Sequence, residues 1–192
     1  MNHFTKEVHD VSAIGSLSVC MGIAGVAQAA PLTFFGEDLG LGEGTRLPAH
    51  PNADAAQAAF LSNLVGVGTE DFESFADGTS APLTLTFPGV GTATLMGSGN
   101  VNEVPTGTNG VGRYPISGTK YWETGSICNI EFSNPVAAFG FFGIDIRDFG
   151  GQVTLTLQNG SSTTLTIPNT INGQEEECSI LVSLTLAIRS PK

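Results

Sequence analysis

The sequence predicts an all-β fold: an antiparallel β-sandwich of the jelly-roll type, with one short helix near the N-terminus of the mature chain. Three observations favour it. Segments such as Leu83–Phe87 and Val153–Leu157 alternate apolar and hydroxyl side chains, the pattern of half-buried strands. Turn formers are abundant, with 25 Gly and 10 Pro, and only one segment has helical spacing. Because no helices alternate with the strands, parallel βαβ units are excluded and antiparallel pairing is favoured.

The first predicted elements are a strand and the single helix. Pro31–Gly36 has the composition of a strand. Ala53–Val65 is Ala-rich with apolar residues on one face, and Asn52 before it is a typical helix cap. We expect Gly66 and Gly68 to end this helix.

Strands and turns follow from Glu70 onward. Val136–Ile146 is long and apolar enough to predict a buried central strand, and Thr163–Ile167 alternates again. Eight to ten strands in two packed sheets would make a sandwich of about this length.

Loop length predicts the register of two hairpins. We expect three-residue loops at Pro88–Val90 and Asn159–Ser161, the second with Gly160 in a left-handed conformation. A two-residue loop at Asn159-Gly160 would place apolar residues opposite polar ones on one face. The predicted pairs are Leu85–Ala93 and Leu83–Leu95 in the first hairpin, and Leu155–Leu165 and Val153–Ile167 in the second.

Residues 1–30 have the composition of a secretory signal peptide. Val11–Ala27 is a run of small and apolar residues that ends in the cleavage pattern Ala27-Gln28-Ala29. The alternative is a buried or membrane helix, but the run is Gly/Ser-rich and shorter than the about 20 apolar residues of a span. We therefore expect a mature chain without a membrane span that is secreted or held at the cell surface.

Charge composition narrows the class of partner. The chain has 18 acidic and 7 basic residues, a formal net charge of −11. Such a surface repels phosphate backbones, which argues against nucleic acid, and suits cations or an extracellular setting. His50 is the one histidine of the mature chain, so a zinc site with several histidines is excluded.

Two cysteines, Cys128 and Cys178, remain after the expected cleavage. In an oxidising compartment such a pair often forms a disulfide, which over a loop of about 50 residues stabilises by about 4 kcal/mol in the chain-entropy model. The alternative is two independent buried thiols.

Acidic residues gather at the predicted strand ends. Glu37-Asp38 follows the first strand, and Glu70-Asp71-Phe72-Glu73 opens the next one, where an extended backbone would place Asp71 and Glu73 on one face. Calcium prefers carboxylate and carbonyl oxygens on such irregular segments. The sequence thus predicts a calcium site from Glu37, Asp38, Glu70, Asp71 and Glu73. The alternative is a solvated edge whose charges discourage aggregation.

The aromatic residues around Arg113-Tyr114 and Tyr121-Trp122 offer a second type of site. If exposed, Arg113, Tyr114, Tyr121 and Trp122 would stack on and hydrogen-bond to a glycan; the alternative is core packing. A glycan-active hydrolase would need two carboxylates about 5 to 10 Å apart. The formal candidates for that pair are Glu70, Glu73, Glu123 and Glu131.

Four stretches together resemble bacterial exported proteins of the PEP-CTERM class, which an exosortase sorts to the cell surface: Phe34–Asp38, Thr69–Glu73, Gly112–Glu123 and Phe132–Leu157. The resemblance covers Leu32–Ile167 and implies a secreted β-sandwich domain associated with extracellular polysaccharide or biofilm matrix. It implies no catalytic residues, and it adds weight to the acidic site.

The end of the chain departs from that class. The sorting signal of that class consists of a Pro-Glu-Pro motif, an apolar helix and a basic tail. None of these three features is expected from the sequence of residues 172–192. We expect a β-sandwich domain at 31–171, followed by an atypical tail at 172–192 that forms a last strand or replaces the expected ones.

The predicted function is a non-enzymatic, secreted or cell-surface protein with a structural or adhesive role in the extracellular matrix, stabilised by calcium. The alternatives are a lectin-like glycan-binding module and a small glycan-active hydrolase.

Overall fold

The computed structural model describes residues 32–39, 45–144, 152–156, 162–167 and 179–185. These residues form eight strands, one α-helix and a short 3₁₀ turn at Gly110–Gly112. The helix α1 spans Pro51–Leu61. The strands are β1 (Leu32–Asp38), β2 (Leu83–Phe87), β3 (Gly91–Glu103), β4 (Lys120–Phe132), β5 (Ala138–Ile144), β6 (Gln152–Thr156), β7 (Ser162–Thr166) and β8 (Ser179–Thr185).

All described strand pairs are antiparallel. Sheet 1 has the order β1-β8-β5, sheet 2 has the order β2-β3-β4, and β6 and β7 form a hairpin. The predicted antiparallel, strand-rich class with one short helix is therefore confirmed, while the jelly-roll sandwich stays a prediction.

The order of sheet 1 corrects one expectation. The segment predicted as a buried central strand is β5, which is half-buried along its length and pairs with β8 alone among the described residues. The centre of sheet 1 is β8, which lies between β1 and β5.

Sheet 2 has one apolar and one hydroxyl-rich face. Along β2 the leucines are buried while Thr84 and Thr86 are exposed, as the alternating sequence requires. The core comprises Leu83, Leu85, Leu95 and Val101, with Phe72, Phe75, Phe87, Trp122 and Ile130 packed against it. The predicted pairs Leu83–Leu95 and Leu85–Ala93 are confirmed.

The register predicted for the second hairpin is wrong by two residues. Leu155 pairs with Thr163, and Val153 pairs with Leu165. A shift of two leaves every side chain on its face, so the apolar pattern cannot distinguish the registers. In the observed register the hydroxyls of Thr154 and Thr164 lie 3.2 Å apart, a stabilising cross-strand pair. Residues 157–161, including Gly160, lie outside the described residues.

The helix begins earlier and ends earlier than predicted. Pro51 occupies the first turn and His50 the cap position, so Asn52 is not the cap, and α1 ends at Leu61, before Gly66. Proline suits this position because its missing N–H would be unpaired there. The buried face of α1 comprises Ala53, Ala56 and Phe60.

Candidate functional site

Asp38 at the end of β1 holds the N-terminus of α1. One carboxylate oxygen accepts a hydrogen bond from the backbone N–H of Asn52 (3.1 Å), and the other accepts one from Ala53 (2.8 Å). Asp38 is buried, with 7% of its surface exposed. The first turn of a helix has unpaired N–H groups and a partial positive charge, so a buried carboxylate is stabilised there. This predicted calcium ligand therefore has a structural role.

We expect Asp38→Ala to destabilise the protein by about 1–2 kcal/mol, because two backbone donors lose their cap. Asp38→Asn should cost less, since the amide keeps one acceptor. Urea unfolding followed by circular dichroism measures both. Thr33→Ala, an exposed position of β1, is the control; an equal loss in Thr33→Ala would contradict the capping role.

The segment around Phe72 is a turn and not the predicted strand opening. Phe72 has a φ of +63°, in the left-handed region. The Glu70 carboxylate accepts a hydrogen bond from the Phe72 N–H (2.7 Å), and the Asp71 carboxylate accepts one from the Glu73 N–H (3.1 Å). Such local side-chain acceptors stabilise turns. Asp71 and Glu73 consequently do not share a strand face.

Glu73 ties this turn to the start of β4. Its carboxylate accepts hydrogen bonds from the backbone N–H groups of Thr119 and Lys120, both at 2.7 Å, and from the Thr119 hydroxyl at 3.1 Å. Lys120 returns the contact by donating from Nζ to the Phe75 carbonyl (2.7 Å). Gly118, with a φ of +65°, leaves the carboxylate the space that a Cβ would fill. The contact orders the loop that carries Phe72 and Phe75 over the sheet 2 core.

This contact should make stability depend on pH. The backbone N–H groups of Thr119 and then Lys120 lower the pKa of Glu73 below its ordinary value of 4.5. The ionised group therefore contributes stability above the unfolded pKa, and this is lost as pH falls through the lower folded pKa. We expect Glu73→Gln to lower Tm near neutral pH, with the difference shrinking below about pH 4.

Thermal unfolding across this pH range measures the effect. Glu131→Gln, at an exposed position of β4, controls for the loss of one charge. A Tm difference between Glu73→Gln and the original chain that stays constant down to the lowest pH would contradict the role of the ionised carboxylate.

The described residues contain no group of three or more His, Cys, Asp or Glu side chains placed to hold a metal ion. The predicted acidic residues are instead distributed between the start of α1 and the turn before β2. Cys128 lies half-buried on β4, and no disulfide joins it to another described residue. Cys178 lies outside the described residues, so the disulfide stays a prediction.

Two of the four predicted glycan ligands, Tyr114 and Trp122, pack against other parts of the protein. Trp122 packs against the sheet 2 core and stacks on Phe72, with ring centroids 6.5 Å apart. Its indole Nε1 is buried and has no hydrogen-bond partner among the described residues. Tyr114 is buried, its hydroxyl accepts a hydrogen bond from the Leu47 N–H (3.0 Å), and the Arg46 guanidinium lies 4.8 Å from its ring centroid. Core packing, the alternative considered for the aromatics, describes both.

The other two predicted ligands lie at a polar face of sheet 2: Tyr121 is on β4, and Arg113 is in the loop before β4. Asn100 pairs with Glu123 and Asn102 pairs with Tyr121 across β3 and β4. Their side chains lie on the face opposite Val101 and Trp122, because successive residues of a strand alternate. Arg113 forms an ion pair with Glu123 at 2.5 Å. We give the name outer polar patch to five residues: Asn100, Asn102, Arg113, Tyr121 and Glu123.

Sequence reasoning missed Asn100 and Asn102 as parts of this patch. The alternation Asn-Val-Asn was visible, with one apolar residue between two amides. Its meaning depends on the pairing with Tyr121 and Glu123, which lie more than 18 residues away on β4, across the connection from Glu103 to Lys120. A β-bulge between Gly97 and Gly99 also shifts this part of the β3-β4 ladder relative to the part at Ala93, so alternation alone does not predict the register.

The fold and site define a strand-rich antiparallel protein with one α-helix among the described residues. No family model matches the chain, and no match was found among curated proteins or solved structures. In the described part of the chain, no helix has the length and apolarity needed to span a bilayer.

Proposed function

We propose that this chain is an exported, non-enzymatic β-sandwich protein with a structural or adhesive role in the extracellular matrix. The observation that carries the proposal is that residues selected from the sequence as candidate metal or glycan ligands make contacts within the protein. Asp38 caps α1, Glu73 holds the start of β4, and Trp122 packs in the core. Side chains used in this way stabilise a scaffold.

The surface composition supports the adhesive part of the proposal. The outer faces of sheet 2 and of the β6-β7 hairpin carry paired threonines, Thr84 with Thr94 and Thr154 with Thr164. Their hydroxyl oxygens are 3.3 Å and 3.2 Å apart. Uncharged hydroxyl faces suit hydrated polysaccharide, while the net charge of −11 aids solubility outside the cell.

The sandwich arrangement is part of this proposal. Phe132 of sheet 2 and Phe139 of sheet 1 form an edge-to-face ring contact at 5.5 Å. An aromatic contact between the two sheets supports a shared interior.

Export is tested by expressing the full chain in a bacterial host and analysing the medium and cell-surface fractions by mass spectrometry. We expect a mature chain that begins at Ala30 or Pro31. Ala29→Arg, which removes the small residue at the cleavage site, should block processing. An intact N-terminus in the cytoplasm would overturn the proposed location.

The structural role is tested with extracellular polymer washed from a bacterial biofilm. We expect the mature protein to co-sediment with the polymer and to release no reducing sugar from it. Release of sugar that Glu123→Gln or Glu70→Gln abolishes would instead support the hydrolase. Failure to co-sediment would overturn the adhesive role.

Calcium stabilisation remains part of the proposal, because a carboxylate that accepts a backbone hydrogen bond keeps further acceptor sites. A ligand that binds the native state alone, at a hundredfold excess over Kd, stabilises by about 2.7 kcal/mol. We expect calcium to raise Tm, EDTA to reverse the rise, and Glu70→Gln or Asp71→Asn to abolish it. Equal Tm values in calcium and EDTA would overturn this part.

A further inference from the structure

We propose that the outer polar patch binds a neutral, hydroxylated sugar ring. The patch comprises Asn100, Asn102, Arg113, Tyr121 and Glu123. The inference deepens the adhesive function proposed above and rests on it, since it names the ligand class and the residues that recognise it. It also replaces the glycan site predicted from the aromatics, because Tyr114 is buried and Trp122 packs half-buried against the sheet 2 core.

The register of β3 and β4 makes the patch compact. Asn100 lies opposite Glu123, and Asn102 lies opposite Tyr121. Directly opposed Cβ atoms are about 5 Å apart, and residues two apart on one strand are separated by about 6.5 Å. Four side chains therefore occupy an area comparable to one hexose ring, and Arg113 reaches the patch from the loop before β4.

The side chains of the patch form a continuous hydrogen-bonded chain. Asn100 Nδ2 donates to Asn102 Oδ1 (3.3 Å) and to the Val101 carbonyl (3.2 Å), and Asn102 Nδ2 donates to Glu123 Oε2. Arg113 Nη1 donates to the other oxygen of Glu123. Each amide has two donor hydrogens and a two-lone-pair acceptor, and the guanidinium has five donors. These contacts orient the groups and leave the second Asn102 amide hydrogen and further Arg113 hydrogens as donors, and the Asn100 amide oxygen as an acceptor, for a ligand.

That mixture of donors and acceptors matches neighbouring hydroxyl groups. A sugar hydroxyl donates one hydrogen bond and accepts others, so it needs both partners close together. Phosphate and carboxylate ligands need donors alone. Groups already held in place lose little entropy on binding, which favours affinity.

Charge favours a neutral ligand. Arg113 and Glu123 neutralise each other within the patch, so it has no net charge to attract a cation or an anion. The chain as a whole carries −11, which repels phosphorylated and uronic-acid polymers.

Tyr121 supplies the apolar part of the site. Its side chain is half-buried on the outer face of sheet 2. Burial and, next, the Glu123 charge raise the pKa of Tyr121, so the phenol remains a donor at neutral pH. A ring with one apolar face and a polar end suits stacking on a sugar.

Isothermal titration of the full chain with oligosaccharides tests the proposal. The probes are neutral cello- and manno-oligosaccharides, with oligo-alginate as the acidic comparison. We expect one neutral series to bind and the alginate not to bind. Tyr121→Ala and Asn102→Ala should each weaken binding about tenfold, since each removes one specific contact.

Two further variants separate the patch from the rest of sheet 2. Thr86→Ala, on the same outer face but outside the patch, and Trp122→Phe, in the core, should change affinity less than twofold. Thermal unfolding of each variant confirms that it folds, and Tyr121→Phe provides a milder change if Tyr121→Ala does not. The proposal is overturned if neither neutral series binds, if alginate binds better, or if Thr86→Ala weakens binding as much as Asn102→Ala. Export and co-sedimentation are measured separately, so failure of this site is distinguishable from failure of the proposed function.

Discussion

Gly36→Ala is expected to destabilise the protein by about 2–3 kcal/mol, because a methyl group has no room between β1 and α1. A Cβ at this position would overlap the backbone carbonyl of Asn52 and lie 2.9 Å from the Ala53 nitrogen. These are backbone atoms of the first helical turn, so no side-chain rotation relieves the overlap. The helix would have to move away from the strand, stretching the hydrogen bonds that Asp38 accepts from the same two residues.

Urea unfolding measures the Gly36→Ala effect, and Thr33→Ala on the exposed side of β1 is the matched control. The control should remain within about 0.5 kcal/mol of the original chain. If Gly36→Ala did the same, the close packing of α1 on β1 would be contradicted. A combined Gly36→Ala, Asp38→Ala variant should lose less than the sum of the two, since both changes disturb the same helix turn.

The faces of the strands were predictable, but their registers were predictable only in part. In the first hairpin, the loop length and the alternation of β2 both require Leu83 opposite Leu95, and the structure agrees. In the second, the apolar pattern allows any even shift, so Leu155 lies opposite Thr163 instead of Leu165. Local alternation encodes the face of a residue, while its partner also depends on the loop and on cross-strand contacts.

The start of the helix shows the same limit. Asn52 was predicted as the cap because capping rules consider residues adjacent to the helix. The carboxylate that caps α1 is that of Asp38, 14 residues before Asn52 in the chain. The proline at position 51 was the local signal of the true start, since its fixed φ suits the first turn.

The acidic residues were recognised as important, but their partners were not visible in the sequence. Glu73 contacts Thr119 and Lys120, 46 and 47 residues away. The sequence alone does not distinguish a carboxylate that accepts hydrogen bonds from backbone N–H groups from one that binds a cation. The outer polar patch was hidden for a related reason, since its members come together through the pairing of β3 with β4 and through a loop that returns Arg113 to Glu123.

Leu95→Ala is expected to destabilise the protein by about 2–5 kcal/mol, through lost burial and the cavity that remains. Leu95 is 4% exposed and belongs to the buried cluster with Leu83, Leu85 and Val101. The cavity would lie on the buried face of the β2-β3-β4 sheet. Because the paired backbones of the sheet limit its collapse, we expect a loss in the upper half of that range. Unfolding in urea, monitored by Trp122 fluorescence, reports directly on this cluster.

Thr84→Ala is the matched control for Leu95→Ala, because it truncates an exposed side chain on the opposite face of the same sheet. It removes only the hydroxyl contact with Thr94 and should cost less than about 1 kcal/mol. A larger loss in Thr84→Ala than in Leu95→Ala would mean that the two faces are reversed. It would also remove the basis for the sugar site, because Asn100, Asn102, Tyr121 and Glu123 would then lie on the buried side. Stability of the core and binding at the outer polar patch thus depend on one assignment of faces in sheet 2.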